Sequence, residues 1–389
     1  MRKISANYIY PISSSPIKNG VVVVDENSKI VDLLSSTDGL EDVEIYDGLI
    51  CPGFVNTHCH LELSHIKGIV SEGKGLVEFI KELMSQREAD PDFIQQCIAD
   101  AETEMITNGI VAVGDISNGS DTFFQKAKRN LYYHTFVELY GFMNEQANES
   151  FENGLLLSSK LKGENLNFSL VPHSPYSASR PLWDKICKWN EENNGIISFH
   201  NEETEAENNL FMEGSGSLID LMQWFGLDTS FWKPTGKTSL NSIKDLLPKE
   251  LKTLLVHNTV TSSDELLSLN LKLDSPYWCL CPNANWYIER RIPNIDDFIT
   301  SNAKVTLGTD SLSSNWGLSI LSEMKRINEH YPKTPTATLL KWGTQNGAEL
   351  LGIDSAYGSL AKGKSPGINL IKGLKAGEIT EASEVVKLE

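Results

Sequence analysis

The chain has 389 residues, 40% apolar and 22% charged, with a formal net charge of −18 and a pI near 4.9. Its length can bury a large core, while its acidity argues against nucleic acid or an anionic membrane as the main partner and favours a small neutral or cationic substrate. No run of ~18 apolar residues and no signal-peptide core follows the start MRKISANYIYPISSS, so a soluble cytoplasmic protein with no membrane contact is expected.

In chain order, residues 1–50 alternate short strand signals with turns, as in GVVVVDENSKIVDLL, and show no long helical pattern. Eight candidate strands follow: CPGFVNTH (51–58), GIVAVGD (109–115), YYHTFVELYG (132–141), NFSLVPHS (167–174), GIISFHN (195–201), TLLVHNT (253–259), YWCLCPN (277–283) and AKVTLGTD (303–310). Helix-length segments separate most of them. Nearly every run is apolar through its body and stops on a polar group: His58, Asp115, Glu138, His173, His200, His257, Asn283 and Asp310. Buried parallel strands read as continuous apolar stretches, and a (β/α)8 barrel of ~250 residues carries its chemistry at the C-terminal strand ends. The last 35 or so residues return to turns around a short strand. The expected fold class is therefore α/β: a TIM-like (β/α)8 barrel over 51–354, with 1–50 and 355–389 forming a small discontinuous β-sandwich domain. The segment LFMEGSGSLIDLMQWFG (210–226) reads as a mobile rim loop able to close over substrate. Six cysteines at 51, 59, 97, 187, 279 and 281 fit neither a structural zinc site nor a disulfide framework, and read as reduced side chains.

The polar stops contain a metal-hydrolase set. His58 and His60, one residue apart at a strand end, point to the same side and can meet one divalent ion, with His200 and Asp310 completing the ligands. Such an ion lowers the pKa of bound water from 15.7 to roughly 7. Glu203, three residues after His200, is the candidate acid/base, preferred over its neighbour Glu202. Asp310 can double as a base, and His257 is suited to orienting the water or polarising a developing oxyanion. His173 reads as a pocket residue, Cys59 as inward packing, and His65, His134 and His330 as structural or exposed. The run EETEAE beyond Glu203 reads as a solvated face, and Trp286 and Tyr287 as either core or pocket wall.

The motifs PGFVNTHCH (52–60), HSPYS (173–177), HNEE (200–203), HNT (257–259) and LGTDS (307–311) resemble, in this order and over almost the whole chain, the amidohydrolase superfamily in its cytosine deaminase and chlorohydrolase-like branch. The resemblance implies one catalytic divalent metal, zinc first and iron second, on His58, His60, His200 and Asp310. It implies Glu203 and His257 as catalytic residues, His173 against the substrate ring, and a homodimer. In deaminases of that branch metal-bound hydroxide attacks the ring carbon bearing the amino group, the glutamate protonates the adjacent ring nitrogen, and ammonia leaves. No lysine ends the third or fourth strand, so a site with two metals bridged by a carbamylated lysine is not expected.

The run His60-Leu61-Glu62-Leu63-Ser64 resembles loop one of aminodeoxyfutalosine deaminases, with Glu62 either accepting from ribose hydroxyls or a base edge, or capping a turn. Ala284 stands where the branch commonly has serine. Arg290 and Arg291 either bind a substrate carboxylate or lie on the surface. The expected activity is hydrolytic deamination of an aminated purine nucleoside or related heterocycle, aminodeoxyfutalosine first. Guanine, cytosine, S-adenosylhomocysteine or methylthioadenosine deamination, or hydrolysis of a cyclic amide or chloro-heterocycle, are the alternatives.

Overall fold

Strands β1 (Arg2–Ile9), β2 (Ile17–Lys18), β3 (Val21–Val24), β4 (Ile30–Leu34) and β5 (Val43–Pro52) come first in the computed structural model, which describes residues 1–389. Eight follow with helices between them: β6 (Phe54–Cys59), β7 (Ile110–Ser117), β8 (Tyr132–Leu139), β9 (Asn167–Pro172), β10 (Ile197–Asn201), β11 (Thr253–His257), β12 (Pro276–Leu280) and β13 (Val305–Leu307). The last two are β14 (Ile368–Lys372) and β15 (Glu384–Lys387).

The eight middle strands form two parallel four-stranded sheets, ordered β6-β7-β8-β9 and β10-β11-β12-β13. Every residue of β6, β10, β11, β12 and β13 is buried, as expected of parallel strands covered on both faces. The two sheets meet at two seams. At one, the backbone amides of Thr309 and Asp310 both donate to the His58 carbonyl at 3.0 Å, and Cys59 bridges Asp310. At the other, His200 N donates to the His173 carbonyl at 2.9 Å and Ile196 N to the Ser169 hydroxyl at 2.9 Å.

Local sequence sets the helices that cover these strands. The helix Pro91–Thr107 starts at Asp90, whose carboxylate accepts from the amides of Asp92 and Phe93, and proline occupies its first turn, where a missing N–H costs nothing. It buries Ile98, Ala101, Glu102 and Met105, one stripe at helical spacing. The helix Ser263–Lys272 opens with a reciprocal capping box between Ser262 and Glu265.

The terminal segments pair in a single seven-stranded sheet, β15-β14-β5-β1-β3-β4 with β2 on β1. Its own apolar core includes Ile4, Ile9, Val22, Val24, Ile50, Ile368 and Leu370. All seven strands share one hydrogen-bonded sheet, where two layers are expected from sequence. The run 51–58 is also divided: Cys51 and Pro52 end β5, and β6 begins after Gly53, where a Cβ would strike Val111 and, at 2.7 Å, the Pro366 carbonyl. The segment 210–226 is not a loop. It lies in two helices, Glu205–Glu213 and Ser217–Trp224, with Gly214 (φ 71°) and Gly216 (φ 100°) making the turn. Leu210, Phe211, Leu218, Leu221 and Met222 are buried, and that anchoring fixes what the glycines alone would leave mobile.

Two buried charged groups brace the strand ends. Lys126 and Asp115, both fully buried, form an ion pair at 2.6 Å, and Asp115 also accepts from the Leu61 amide at 2.8 Å, just beyond His60. Glu323, also fully buried, accepts from the backbone and side-chain amides of Asn283 at 2.8 and 3.0 Å and from Asn315 at 2.9 Å, while Asn315 donates to the Thr309 carbonyl at 2.8 Å. Burial pushes the Glu323 carboxyl up to about 8 against the pull of those amides. A raised folded value means that the native state holds a proton the unfolded chain releases near 4.5, so this group's contribution to stability falls as pH rises from about 4.5 to about 8. Glu323→Gln removes that slope: its melting temperature relative to the wild type should climb across this window, and a difference independent of pH would refute the assignment. Gly308 is a second test, because a Cβ there would lie 2.8 Å from both Cys279 Sγ and His58 Cβ. Gly308→Ala should cost about 1–3 kcal/mol in urea unfolding through overpacking at the seam; an unchanged midpoint would show that the seam yields freely.

Candidate active site

His58 ends β6 with Cys59, and His60 follows as the strand gives way to a 3-10 turn, Leu61–Ile66. Their Nε2 atoms lie 3.1 Å apart, and His60 Nε2 is 3.3 Å from His200 Nε2, which arrives from the end of β10 in the other sheet. Asp310 Oδ1 completes the group at 3.6 Å from His58 Nε2 and 3.4 Å from His60 Nε2. All four side chains are buried. Neighbouring ligands on a metal at about 2.0–2.1 Å are separated by about 3.3 Å, so the four spacings are of the size that a shared ion would require.

The electrostatics fit the same description. His200 Nδ1 donates to the His173 carbonyl at 2.8 Å, which leaves the Nε2 lone pair facing the cluster. Burial, with His200 and His173 adding to it, holds His58 well below its usual value; burial also depresses His60, against the pull of Asp310. Burial alone would raise Asp310, but His60, His257 and a 2.6 Å hydrogen bond from the Ser314 hydroxyl draw it below the usual carboxylate value. Neutral imidazoles and an ionised carboxylate offer lone pairs with too few protons between them, a donor set that calls for a cation.

Glu203 and His257 stand beside this cluster, with Glu203 Oε1 3.7 Å from His257 Nε2. Burial, reinforced by Asp310, Glu207 and Glu289, pushes the Glu203 carboxyl well above its usual value. Glu202 turns the other way, accepting from the Thr261 hydroxyl at 2.7 Å and the Leu240 amide at 3.3 Å. The backbone carries strain here: Glu202 (φ 44°), His257 (φ 72°), Asn258 (φ 56°) and Asp310 (φ 56°) are non-glycine residues in the left-handed region.

The rest of the expected set gathers on the adjacent wall. The His173 ring lies 4.7 Å from that of His200, its Nδ1 shares hydrogen bonds with Ser177 (2.7 Å) and Ser174 (3.1 Å), and burial pushes it down to about 4. Glu138, from the end of β8, is 3.5 Å from His200 Nδ1 and accepts from Asn118 at 2.8 Å. Glu62 is tied into this wall: Arg87 donates to one oxygen at 2.8 Å, and the amides of Asn118 and Gly119 donate to the other at 3.0 and 3.3 Å. Burial pushes the Glu62 carboxyl up to about 7 against the opposing charge of Arg87. A cavity of about 360 Å³ opens beside Glu203, lined in part by Leu76, Val77, Thr259, Glu289 and Arg291.

Other candidates sit apart. Arg290 pairs with Glu72 and Arg291 with Glu205 at the cavity edge. Trp286 packs on His330, whereas Tyr287 is buried and donates to the Val70 carbonyl at 2.6 Å. Asn283, a polar stop on the seventh run, faces Glu323 and Arg326, away from the cluster. Sequence reading misses Asn285, 3.2 Å from His257 Nδ1, along with Ser314, Lys126 and Arg87. Only the first carries a sequence signal: Asn285 falls one helical turn after Cys281, at the start of the helix Pro282–Glu289 that follows β12.

The model of the Amidohydrolase family matches residues 49–388. A 5'-deoxyadenosine deaminase of Methanosphaera stadtmanae is 25% identical over 377 residues, 92% of this chain and 83% of the relative. Among solved structures, Helicobacter pylori aminofutalosine deaminase in complex with methylthio-coformycin aligns with a TM-score of 0.80 at 20% identity, covering 96% of this chain and 93% of that one. An adenosine deaminase from Xanthomonas campestris with bound zinc aligns at 0.74 with 18% identity, over 95% and 84%. At such identities the structures speak for the fold, while the family match spans nearly the whole chain and the cluster of His58, His60, His200 and Asp310 lies within it. The protein therefore belongs to the Amidohydrolase family, as a hydrolase acting on carbon–nitrogen bonds.

Proposed function

We propose that the protein is a metal-dependent deaminase of an adenine-type nucleoside or related heterocycle, replacing the exocyclic amine by oxygen with consumption of one water and release of one ammonia. The first substrate to test is 6-amino-6-deoxyfutalosine. What carries the reading is the placement of Glu203, 3.7 Å from His257 beside the four-ligand cluster, in a chain whose relatives are named as deaminases of adenosine-type nucleosides.

His58, His60, His200 and Asp310 would hold a single ion, with zinc the first choice for a set of three imidazoles and a carboxylate. Bound there, the ion supplies Lewis acidity and lowers the pKa of water. The remaining steps belong to side chains. Glu203, whose proton affinity burial raises, would donate to the ring nitrogen next to the carbon under attack; that nitrogen then takes up the C=N electron pair as the carbon–oxygen bond forms. Asp310, kept ionised, accepts the proton that the water releases. His257 faces the developing oxygen, and His173 the ring edge. In the same reading Glu62, braced by Arg87, faces the ribose hydroxyls.

The reading also takes 51–354 as one closed (β/α)8 barrel, and 1–50 with 355–389 as one discontinuous β-domain built on the single terminal sheet. Hydrogen bonds across both seams support the first, and the pairing of β14 with β5 supports the joining of the two ends. No helix is long and apolar enough to cross a membrane.

The direct test is ammonia release by metal-replete protein on aminodeoxyfutalosine, adenosine, 5'-deoxyadenosine, methylthioadenosine, S-adenosylhomocysteine, guanine and cytosine. A strong hit on an adenine-type nucleoside is expected; silence on all seven with an occupied metal site would overturn the proposal in favour of cyclic amides or halogenated rings. Glu203→Gln should retain the ion yet lose at least ~100-fold in kcat, the share of a positioned acid/base, and a fully active variant would remove Glu203 from the chemistry. Asp310→Asn should lower the metal bound per chain on dialysis, or turnover, or both; if elemental analysis and kcat both match the wild type, Asp310 is neither ligand nor base.

A further inference from the structure

We infer that Asn285 fixes His257 as the tautomer protonated on Nε2, so that this imidazole meets the reacting oxygen as a hydrogen-bond donor and not as a base. The naming of the oxygen rests on the proposed deaminase chemistry; the tautomer rests on the geometry alone.

Asn285 is fully buried and His257 is 1% exposed, so neither exchanges its partner for bulk water. The Asn285 side-chain amide nitrogen lies 3.2 Å from His257 Nδ1, while its carbonyl oxygen has no partner. Turning the amide over would reverse this, leaving the NH2 group without an acceptor. A buried donor without a partner is the rarer and costlier outcome, so the donating orientation is favoured. Nδ1 must then present a lone pair, and the ring proton resides on Nε2. That nitrogen points toward Glu203, 3.7 Å away, beside the metal-ligand cluster.

Neither residue is free to turn. The Asn285 amide is set by the helix Pro282–Glu289, through its backbone bond to the Cys281 carbonyl at 3.0 Å. Asn283, two residues earlier and so about 200° round the helix, looks the opposite way to Glu323. His257 is held at φ 72°, and Asn258 behind it donates to the carbonyls of Leu255 (2.8 Å) and Cys279 (3.1 Å). The choice of an amide also has a chemical meaning. A carboxylate at 285 would accept from Nδ1–H, place the lone pair on Nε2 and favour an imidazolium beside a cation site. An uncharged donor does neither, so proton acceptance falls to Asp310, proton donation stays with Glu203, and His257 offers the oxygen a hydrogen bond.

The test uses metal-loaded full-length protein labelled with 15N-histidine and read by long-range 1H–15N correlation, with His257 assigned by the signal lost in His257→Gln. The expected pattern is Nε2–H in the wild type, moving to Nδ1–H in Asn285→Asp. An Nδ1–H pattern in the wild type would overturn the inference, whether or not the variant folds. Asn285→Leu, which keeps the shape and removes the donor, should lower kcat by about 10- to 100-fold with metal content unchanged and KM moved by less than about threefold, the signature of a lost orienting partner. Undiminished kcat in that variant would also overturn it. Should ammonia release fail on every substrate, the spectrum still reports the tautomer, so the two readings fail separately.

Discussion

Three imidazole nitrogens and a carboxylate oxygen are gathered around His60 in a buried place, four of their pairs only 3.1–3.6 Å apart, and the rest of the molecule is arranged around the cost of doing so. Groups that offer lone pairs repel at that distance, and burial removes the water that would screen them. Three of the groups are held from behind: His200 by the His173 carbonyl, Asp310 by Ser314, and the chain after His60 by Asp115. The supports of His200 and of the chain after His60 come from elements distant in sequence, so the fold, more than any local segment, sets the geometry of the cluster. His58 and His60 come from the first four-stranded sheet and His200 and Asp310 from the second, which makes the seams part of the site.

The strain has the same origin. Glu202, His257, Asn258 and Asp310 all take left-handed backbone angles where strands end. Residues other than glycine enter that region at a cost of order 1–3 kcal/mol each, and persist only where surrounding bonds over-determine them. Asn258, with two side-chain bonds to neighbouring carbonyls, is such a case, and Glu202, tied to Thr261 and Leu240, is another. A straight continuation of β11 or β13 would carry His257 and Asp310 along the strand; the turned backbone aims them inward.

How far this was legible in the sequence depends on what decides each feature. The strand bodies are readable because a parallel strand covered on both faces must be apolar throughout, and His58, His200, His257 and Asp310 stand out as polar groups that end such runs. Sequence favours Glu203 over its neighbour as the acid/base, and in the fold Glu202 accepts from Thr261. The division at Gly53 is not, since the run CPGFV is apolar on both sides and only the approach of Pro366 breaks it. Glycines at 214 and 216 suggest mobility by composition, yet the buried faces of the two flanking helices decide the outcome. Lys126 and Arg87 escape sequence reading because nothing local distinguishes them from surface residues; their partners, Asp115 and Glu62, are supplied by tertiary packing.

The single terminal sheet has a consequence for how the chain is assembled. β5 pairs with β1 on one side and with β14 on the other, and the whole set of parallel strands lies between β5 and β14 in sequence. During synthesis, β1 to β5 can associate early, but one edge of β5, including the buried Leu49, Ile50 and Cys51, has no strand to meet until the ribosome has passed Ile368. An apolar edge left open for that long is a template for pairing with another nascent chain. The yield of folded protein should therefore depend on how long that edge stays uncovered during synthesis as well as on the stability of the finished molecule.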